Sequence, residues 1–171
     1  MLAVAKGDLD AYDQIVLRHQ KLAWGIAYRF LGDRHEAEDV AQEAFLRILD
    51  AAGRYKPTAA FPTYLSRIVI RLCLDHACKK RPVPTDNLPK VQEGDPSAAD
   101  QVAMQDRDQS IRAALDSLPP AQRMAVVLRY FEGFDCRSVA SAMETTVKAV
   151  ERLLARARET LQPLLAKLSE E

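Results

Sequence analysis

The sequence predicts an all-α protein made of two small helical domains, and three observations indicate this fold class. Hydrophobic residues make up 48% of the 171 residues, enough to bury cores, while aromatic residues make up only 6%. Apolar residues recur at helical spacing over most of the chain. This pattern is interrupted once, at 82–99, by an acidic stretch that holds four prolines. A chain of this length forms one domain or two small ones.

The first helix is predicted from Leu9 to about Leu31. Asp8 precedes it as an N-cap, since a carboxylate accepts hydrogen bonds from the free N–H groups of a first turn. Gly32 follows the last apolar residue, where a left-handed glycine commonly ends a helix. His19 lies on the apolar face, and we interpret it as a core or boundary histidine rather than a ligand.

A second helix is predicted over 36–49, and it carries two stripes. The core-facing stripe is apolar and consists of Ala37, Val40, Ala41, Ala44, Phe45, Ile48 and Leu49. Beside it run Asp39, Gln42, Glu43 and Leu46, again at helical spacing. Three polar groups and a leucine outside the core predict a contact surface for a partner. A solvated helix face with one exposed leucine is the alternative.

A third helix is predicted from about Phe61 to Lys80, with Pro62 tolerated in its first turn. Its predicted buried residues are Phe61, Tyr64, Leu65, Ile68, Leu72 and His76. Arg67 and Arg71 share another face. The net charge of the chain is zero, yet residues 32–50 carry six acids against two arginines, and residues 61–81 carry five Lys/Arg against one acid. Such segregation predicts different partners for different surfaces.

We expect neither a membrane segment nor a metal site. The chain has no run of about 18 apolar residues, and its first residues do not follow a signal-peptide pattern. Three cysteines without framework spacing favour a reducing cytoplasm. Cys73, His76 and Cys78 could suggest a metal site, but positions 73 and 78 lie on different faces of a helix and no fourth ligand is near. The expectation is therefore no metal and no cofactor.

The acidic stretch at 82–99 is interpreted as an extended linker between domains at 1–81 and 100–171. The second domain opens with a helix that ends at Leu118, and another is predicted from Ala121 to Tyr130 after two prolines. The residues predicted to face the core in these two helices are Ile111, Ala114, Leu115, Leu118, Met124, Val127, Leu128 and Phe131.

The last part of the chain predicts a helix-turn-helix motif. Asp135 is a predicted cap for a short helix over 136–143, and Thr146 for a longer helix that ends near Leu161. A short capped helix, a tight turn and a longer capped helix form this motif. The groups that the second helix turns outward suit phosphates and base edges, and they are Lys148, Glu151, Arg152, Ala155 and Arg156. A bundle helix with a solvated basic face is the alternative.

Four blocks of the sequence are recognisable together. They are FLGDRHEAEDVAQEAFLRIL, FPTYLSRIVIRLCLDHACKKR, ALDSLPPAQRMAVVLRYFEGF and VASAMETTVKAVERLLARARETL. In this order, and with an acidic linker between the second and third, the chain resembles bacterial sigma factors of the extracytoplasmic-function class over nearly its whole length. The resemblance implies a promoter-specificity subunit that binds core RNA polymerase, recognises −35 and −10 promoter elements and initiates transcription.

The resemblance also implies partners and roles for single residues. Docking on the clamp helices of core RNA polymerase would involve Asp39, Gln42, Glu43 and Leu46. Melting and reading of the −10 element would involve Tyr64, Arg67, Arg71, Lys79, Lys80 and Arg81. Reading of the −35 element would involve Arg137, Ser138, Thr146, Lys148, Glu151, Arg152 and Arg156. The polymerase flap region, promoter DNA and an anti-sigma factor are the other implied partners, and the linker resembles a segment that threads toward the polymerase active-site cleft.

Three positions depart from the family pattern. Arg71 stands where the family often has Asn, Glu144 stands where a Gly commonly sits in the helix-turn-helix turn, and Pro62 replaces a frequent polar residue. A non-glycine residue at positive φ is uncommon, so we expect that turn to differ in shape.

Two other functions are alternatives to that of a sigma subunit. A stand-alone helix-turn-helix regulator would explain residues 107–161 but neither the acidic stripe on the second helix nor the linker. An enzyme is not expected, because the sequence has no Gly-rich phosphate loop, no nucleophile paired with a base and no convincing metal-ligand set.

Overall fold

The computed structural model describes the backbone of residues 1–79 and 110–168 and the side chains of 1–77 and 110–163. Every long regular element in those ranges is a helix. The helices are α1 (Leu9–Leu31), α2 (Arg34–Asp50), α3 (Phe61–Lys79), α4 (110–116), α5 (Pro120–Val126), α6 (Cys136–Ala142) and α7 (Val147–Leu168). The predicted linker at 82–99 lies outside the described residues. None of the described helices combines the length and the apolar character that a membrane span requires.

The first two helices begin and end where their side chains and glycines dictate. The Asp8 carboxylate accepts a hydrogen bond from the Ala11 N–H at 2.9 Å, which confirms the predicted cap of α1. Gly32 ends α1 in the left-handed conformation, with φ of 75°. Asp33 caps α2 by accepting from the Glu36 N–H at 3.0 Å, so α2 begins at Arg34, two residues before its predicted start.

Helix α3 is buried more extensively than its apolar stripe predicted. It packs against α1 and α2 and also against α6 of the second domain. Leu65, Val69 and Cys73 are fully buried, together with the polar Ser66. The half-buried residues of the predicted face are Phe61, Tyr64, Ile68 and His76. Because α3 has helices packed on two of its sides, residues on two of its faces are buried. The sequence prediction assumed a single buried face.

Helix α5 passes directly into a π-helical turn, Val127–Phe131. A π turn holds an extra residue, so it shifts the phase of the side chains that follow. Met124, Val127 and Leu128 are buried as predicted, but Phe131 is 41% exposed. Ile111 on α4 is also 41% exposed, so the prediction that these two residues are buried was wrong.

The two domains contact each other through arginines as well as through apolar residues. Arg123 on α5 donates to the backbone carbonyl of Phe30 at 2.9 Å, and its guanidinium lies over the Phe30 ring. Arg112 on α4 donates to the Tyr28 hydroxyl. The buried apolar residues of both domains form one continuous cluster. These contacts bring α6 and the turn after it onto the exposed side of α3.

Candidate protein and nucleic-acid interfaces

The docking stripe, defined as Asp39, Gln42, Glu43 and Leu46, lies entirely on the surface of α2. Leu46 is 55% exposed, a large value for a leucine on a helix whose opposite face is buried. Glu43 makes an ion pair with Arg47 at 2.8 Å, one turn further along the same helix. The stripe therefore presents two carboxylates, an amide and an apolar side chain on a helix that its core residues hold in place.

A groove runs beside the docking stripe, between α1 and α2. Its volume is about 410 Å³, and its lining is mostly apolar, with Trp24 and Phe45 as the largest side chains. Gln42 belongs both to the stripe and to the groove wall. The sequence stripe did not reveal the groove, because its two walls come from helices whose packing angle is set only in the folded protein.

An aromatic cluster surrounds the start of α3. The Tyr64 ring lies edge-on to Tyr55, with centroids 5.0 Å apart, and Phe61 lies 4.8 Å from His19. Burial raises the pKa of Tyr64, and the neighbouring Tyr55 raises it further. Burial has the opposite effect on a group that is charged when protonated, so it lowers the pKa of His19, and the Arg18 cation lowers it further. The resemblance also implies a role for the loop before α3 in the −10 region, but Tyr55 of that loop was not among the six predicted residues, because a loop has no periodic pattern that singles out a side chain.

The two arginines of the predicted −10 surface contact the second domain. Arg67 Nη2 donates to the Ser141 carbonyl oxygen at 3.1 Å, and its Nε lies 3.7 Å from Glu144 Oε1. Arg71 Nη2 donates to Glu144 Oε2 at 3.2 Å. Lys79 ends α3, but its side chain lies outside the described part, as do Lys80 and Arg81 altogether. Of the six predicted residues, the structure thus locates the side chains of Tyr64, Arg67 and Arg71.

The helix-turn-helix turn is built around a left-handed glutamate. Glu144 has φ of 52°, and among non-glycine residues of the described chain it alone has a positive φ. The following Thr145 N–H returns to the Ala140 carbonyl at 2.9 Å, which closes α6. Glu144 therefore adopts a conformation that a glycine would adopt at lower cost.

The helix-turn-helix itself follows the predicted caps. Asp135 accepts from the Ser138 N–H at 2.7 Å, and the same hydrogen bonding lowers the pKa of the Asp135 carboxyl. The Thr146 hydroxyl accepts from the Ala149 N–H at 3.2 Å and so starts α7. Ser138 is half-buried, and the exposed predicted residues of this motif are Arg137, Thr146, Lys148, Glu151, Arg152 and Arg156.

The structure buries one of the three cysteines, and it shows no metal-binding cluster among the residues it describes. Those residues contain no group of three His, Cys, Asp or Glu side chains close enough to hold a metal ion. Cys73 is fully buried, and burial raises the pKa of its thiol to about 12. Cys136 is half-buried and free. The Cys78 side chain lies outside the described part.

Two protein families match the chain in succession. Sigma-70 region 2 matches residues 15–82, and Sigma-70 region 4 matches residues 108–161. RNA polymerase sigma-H factor of Pseudomonas aeruginosa is 34% identical and aligns with 95% of this chain and 92% of its own length. ECF RNA polymerase sigma factor SigW of Bacillus subtilis is 30% identical and aligns with 96% of this chain and 94% of its own length.

Two solved structures share the fold. CnrH, in complex with the cytosolic domain of CnrY, has a TM-score of 0.74 and 25% identity, over 96% of this chain and 94% of that one. The sigma factor RpoE, in complex with the anti-sigma factor NepR from Bartonella quintana, has a TM-score of 0.70 and 18% identity. The match covers 91% of this chain and 97% of the RpoE chain. The second likeness is one of fold alone.

Proposed function

The chain belongs to the extracytoplasmic-function class of RNA polymerase sigma factors, which are transcription initiation factors, and we propose that it docks on core polymerase through α2 and reads two promoter elements through α3 and α7. It performs no covalent chemistry of its own. It works in the bacterial cytoplasm, where core polymerase and promoters are found. The domain borders proposed for this division of labour are 1–81, 82–99 and 100–171.

The docking stripe supports the polymerase contact. A helix face with Asp39, Glu43 and an exposed Leu46 combines charge, which steers association and sets specificity, with apolar area that contributes affinity. The groove beside it adds Trp24, a residue type enriched where protein interfaces contribute most free energy. The proposed partner of this surface is the pair of clamp helices of core RNA polymerase.

The −10 surface combines aromatic rings and cations, which is what single-stranded DNA requires. Unpaired bases stack on aromatic side chains, while arginines and lysines bind the phosphates. Tyr64 and Tyr55 supply rings at the start of α3, and Arg67 and Arg71 supply cations one and two turns later. We assign Lys79, Lys80 and Arg81 to the same surface as phosphate contacts.

The −35 surface is the exposed face of α7 together with the start of α6. Thr146 caps α7 and fixes its first turn, which is the part of a recognition helix that enters the major groove. Arg152 and Arg156 lie one turn apart, where they suit base edges and phosphates. Lys148 and Glu151 belong to the same face, and Arg137 and Ser138 are proposed to contact phosphate.

One observation carries the proposal: a single chain matches Sigma-70 region 2 and region 4 in that order. Its region 2 exposes the acidic docking stripe on α2, and its region 4 exposes the basic face of α7. A stand-alone regulator needs the basic face but not the stripe. We also propose an anti-sigma factor as a partner, because CnrH, which is 25% identical to this chain, was solved in complex with the cytosolic domain of another protein, CnrY. The flap region of polymerase is the proposed partner of the second domain.

The test is run-off transcription with purified bacterial core polymerase and a pool of promoter fragments. The double substitution Asp39→Arg with Glu43→Arg is expected to abolish core binding and transcripts, because both carboxylates are exposed and reversing them removes the charge that faces the clamp helices. The matched control is Asp10→Arg with Asp13→Arg, which changes charge equally at exposed positions of α1.

Circular dichroism should show the same helix content for both variants. Normal transcription from the Asp39/Glu43 variant would refute the docking assignment. Tight binding of the wild-type protein to one duplex in the absence of polymerase, with no transcripts, would favour the stand-alone regulator.

A further inference from the structure

We propose that Glu151 is a specificity-determining residue of the −35 surface, and that its carboxylate accepts a hydrogen bond from the N4 amino group of one cytosine in the major groove. This assignment rests on the proposed reading of the −35 element by α7. It adds the base that one side chain recognises and the chemical group by which the base is recognised.

The exposed face of α7 consists of two ridges of different chemistry. Side chains four residues apart follow one another along a helix, so each ridge is a row at that spacing. The cationic ridge is made of exposed basic residues, which are Lys148, Arg152 and Arg156. The second ridge is also exposed but carries no cation, and it consists of Val147, Glu151 and Ala155. The two ridges therefore suit different groups of DNA.

The position of Glu151 is fixed by the way α7 is held in its domain. Val150 and Ala157 on the inner side of the helix are fully buried. The Thr146 hydroxyl accepts from the Ala149 N–H at 3.2 Å and fixes the first turn. Glu151 follows in the second turn, in the N-terminal part of the helix that contacts base edges in this motif. Its carboxylate is thus presented from a rigid element.

The Glu151 carboxylate has no partner among the residues that the structure describes. No cation of those residues lies within ion-pair distance of it, and none of them donates a hydrogen bond to it. On α2, by contrast, Glu43 pairs with Arg47 four residues later, whereas the residue four positions after Glu151 is Ala155. The first turn of α7 holds no acidic residue, so Glu151 lies beyond the turn where a carboxylate interacts most favourably with the helix dipole.

A carboxylate on a DNA-binding face is restricted in the groups it can contact. It repels phosphates, and it can only accept hydrogen bonds. In the major groove guanine presents N7 and O6 and thymine presents O4, and all three atoms are acceptors. Adenine presents an N6 amino group beside the N7 acceptor, whereas cytosine presents its N4 amino group with no acceptor of its own. Cytosine is therefore the base that Glu151 recognises.

The two ridges contribute differently to binding. The cationic ridge attracts the phosphates of any duplex and so supports affinity. The carboxylate of Glu151 weakens that attraction on every sequence, and only a cytosine amino group offsets the loss. A wrong base leaves the carboxylate desolvated and unpaired, which excludes that sequence. Arg158 does not neutralise the second ridge, because it lines a cavity together with Ile111 and Val126.

The experiment measures base preference with a barcoded promoter pool in which every position of the −35 element is randomised. Full-length wild type, Glu151→Gln and Glu151→Ala are each loaded on core polymerase, and the sequenced run-off transcripts report the preference at each position. The matched control is Glu159→Gln, which removes one exposed carboxylate from the same row of α7 two turns later. Circular dichroism should show the same helix content for all of these proteins.

We expect wild type to favour cytosine at one −35 position by roughly tenfold to a hundredfold over the other bases. A glutamine amide carries a donor and an acceptor, which match N7 and N6 of adenine. Glu151→Gln should therefore change the preferred base at that position from cytosine to adenine. Glu151→Ala should abolish the preference there and raise transcription from promoters that lack the cytosine. Glu159→Gln should keep the preference of wild type.

Base preferences that stay the same at every −35 position in both Glu151 variants would overturn the proposal. A Glu151-dependent preference for a base other than cytosine would also overturn it. So would an equal loss of transcription from all promoters in Glu151→Ala, since that result would indicate a structural role.

Failure of the proposed function looks different, because wild type itself would then yield no transcript with core polymerase. In that case randomised duplexes are selected with the full-length chain alone at low salt, where binding to phosphates is strong. The same change from cytosine to adenine in Glu151→Gln would support the assignment. An unchanged preference in this selection would overturn it.

Discussion

Replacing Arg29 by methionine should weaken the contact between the two domains in a pH-dependent manner. Arg29 on α1 donates to Glu132 Oε1 at 2.9 Å, and its guanidinium lies 5.0 Å from the centre of the Phe131 ring. Glu132 is only 11% exposed. Gly25 leaves room for this pair, because a Cβ there would lie 2.7 Å from Arg29 Nη1. Methionine keeps the apolar stem and removes the charge.

The expected loss of stability follows from the Glu132 carboxylate, which Arg29→Met leaves largely buried without its cation. A hydrogen bond to a charged group contributes about 1.5–3 kcal/mol, and an unpaired buried carboxylate is unfavourable. Arg29 is 36% exposed, so solvent screening reduces the figure. We expect Arg29→Met to lower the free energy of unfolding by about 1.5 kcal/mol at neutral pH. With a urea m-value of about 2 kcal/mol/M, the midpoint should fall by about 0.7 M.

The pH dependence has a definite sign. Burial raises the pKa of Glu132, and the Arg29 cation lowers it in part. Between its unfolded pKa and this raised folded pKa, the folded state binds more protons, so stability falls as pH rises through that window. Without Arg29 the folded pKa rises further and the window widens. The defect of Arg29→Met should therefore be largest at neutral pH and shrink as pH approaches 4.

The assay is urea unfolding followed by circular dichroism at several pH values, with Glu132→Gln and the double variant completing a cycle. The double variant should recover most of the lost stability at neutral pH, because no charge is left unpaired. An Arg29→Met defect that is equal at all pH values, and that Glu132→Gln does not relieve, would refute the reasoning.

Two further predictions concern single side chains. Cys73 should resist a thiol reagent such as iodoacetamide at pH 8 in the native protein and react once the chain is unfolded in urea. The reason is that Cys73 is buried and that the pKa of its thiol is raised to about 12. Mass spectrometry distinguishes its labelling from that of the half-buried Cys136, and rapid labelling of Cys73 in the native protein would contradict its buried position. If Arg152 reads a base edge, Arg152→Ala should weaken binding of the polymerase complex to its −35 element by about 1–3 kcal/mol, and the loss should depend on the base pair at one position. An equal loss of binding free energy on all −35 sequences would identify a phosphate contact instead.

Local chemistry along the chain determined the helices and most of their ends. Asp8, Asp135 and Thr146 cap helices as predicted, because an N-cap acts on N–H groups within its own next turn. The docking stripe on α2 was also predictable, since four residues at helical spacing share a face wherever the helix lies. Family membership follows from the same linear order of blocks.

Tertiary structure decided which predicted side chains are available. Arg67 and Arg71 share a face of α3 by spacing alone, but their partners Ser141 and Glu144 lie on another domain. The π-helical turn moved Phe131 to the surface, and the groove beside Trp24 exists only where two helices meet. Periodicity reports neighbours within a few residues, whereas these contacts join positions far apart in sequence. Their geometry depends on how whole helices pack, which is why an arginine predicted to face DNA is found bound to a glutamate.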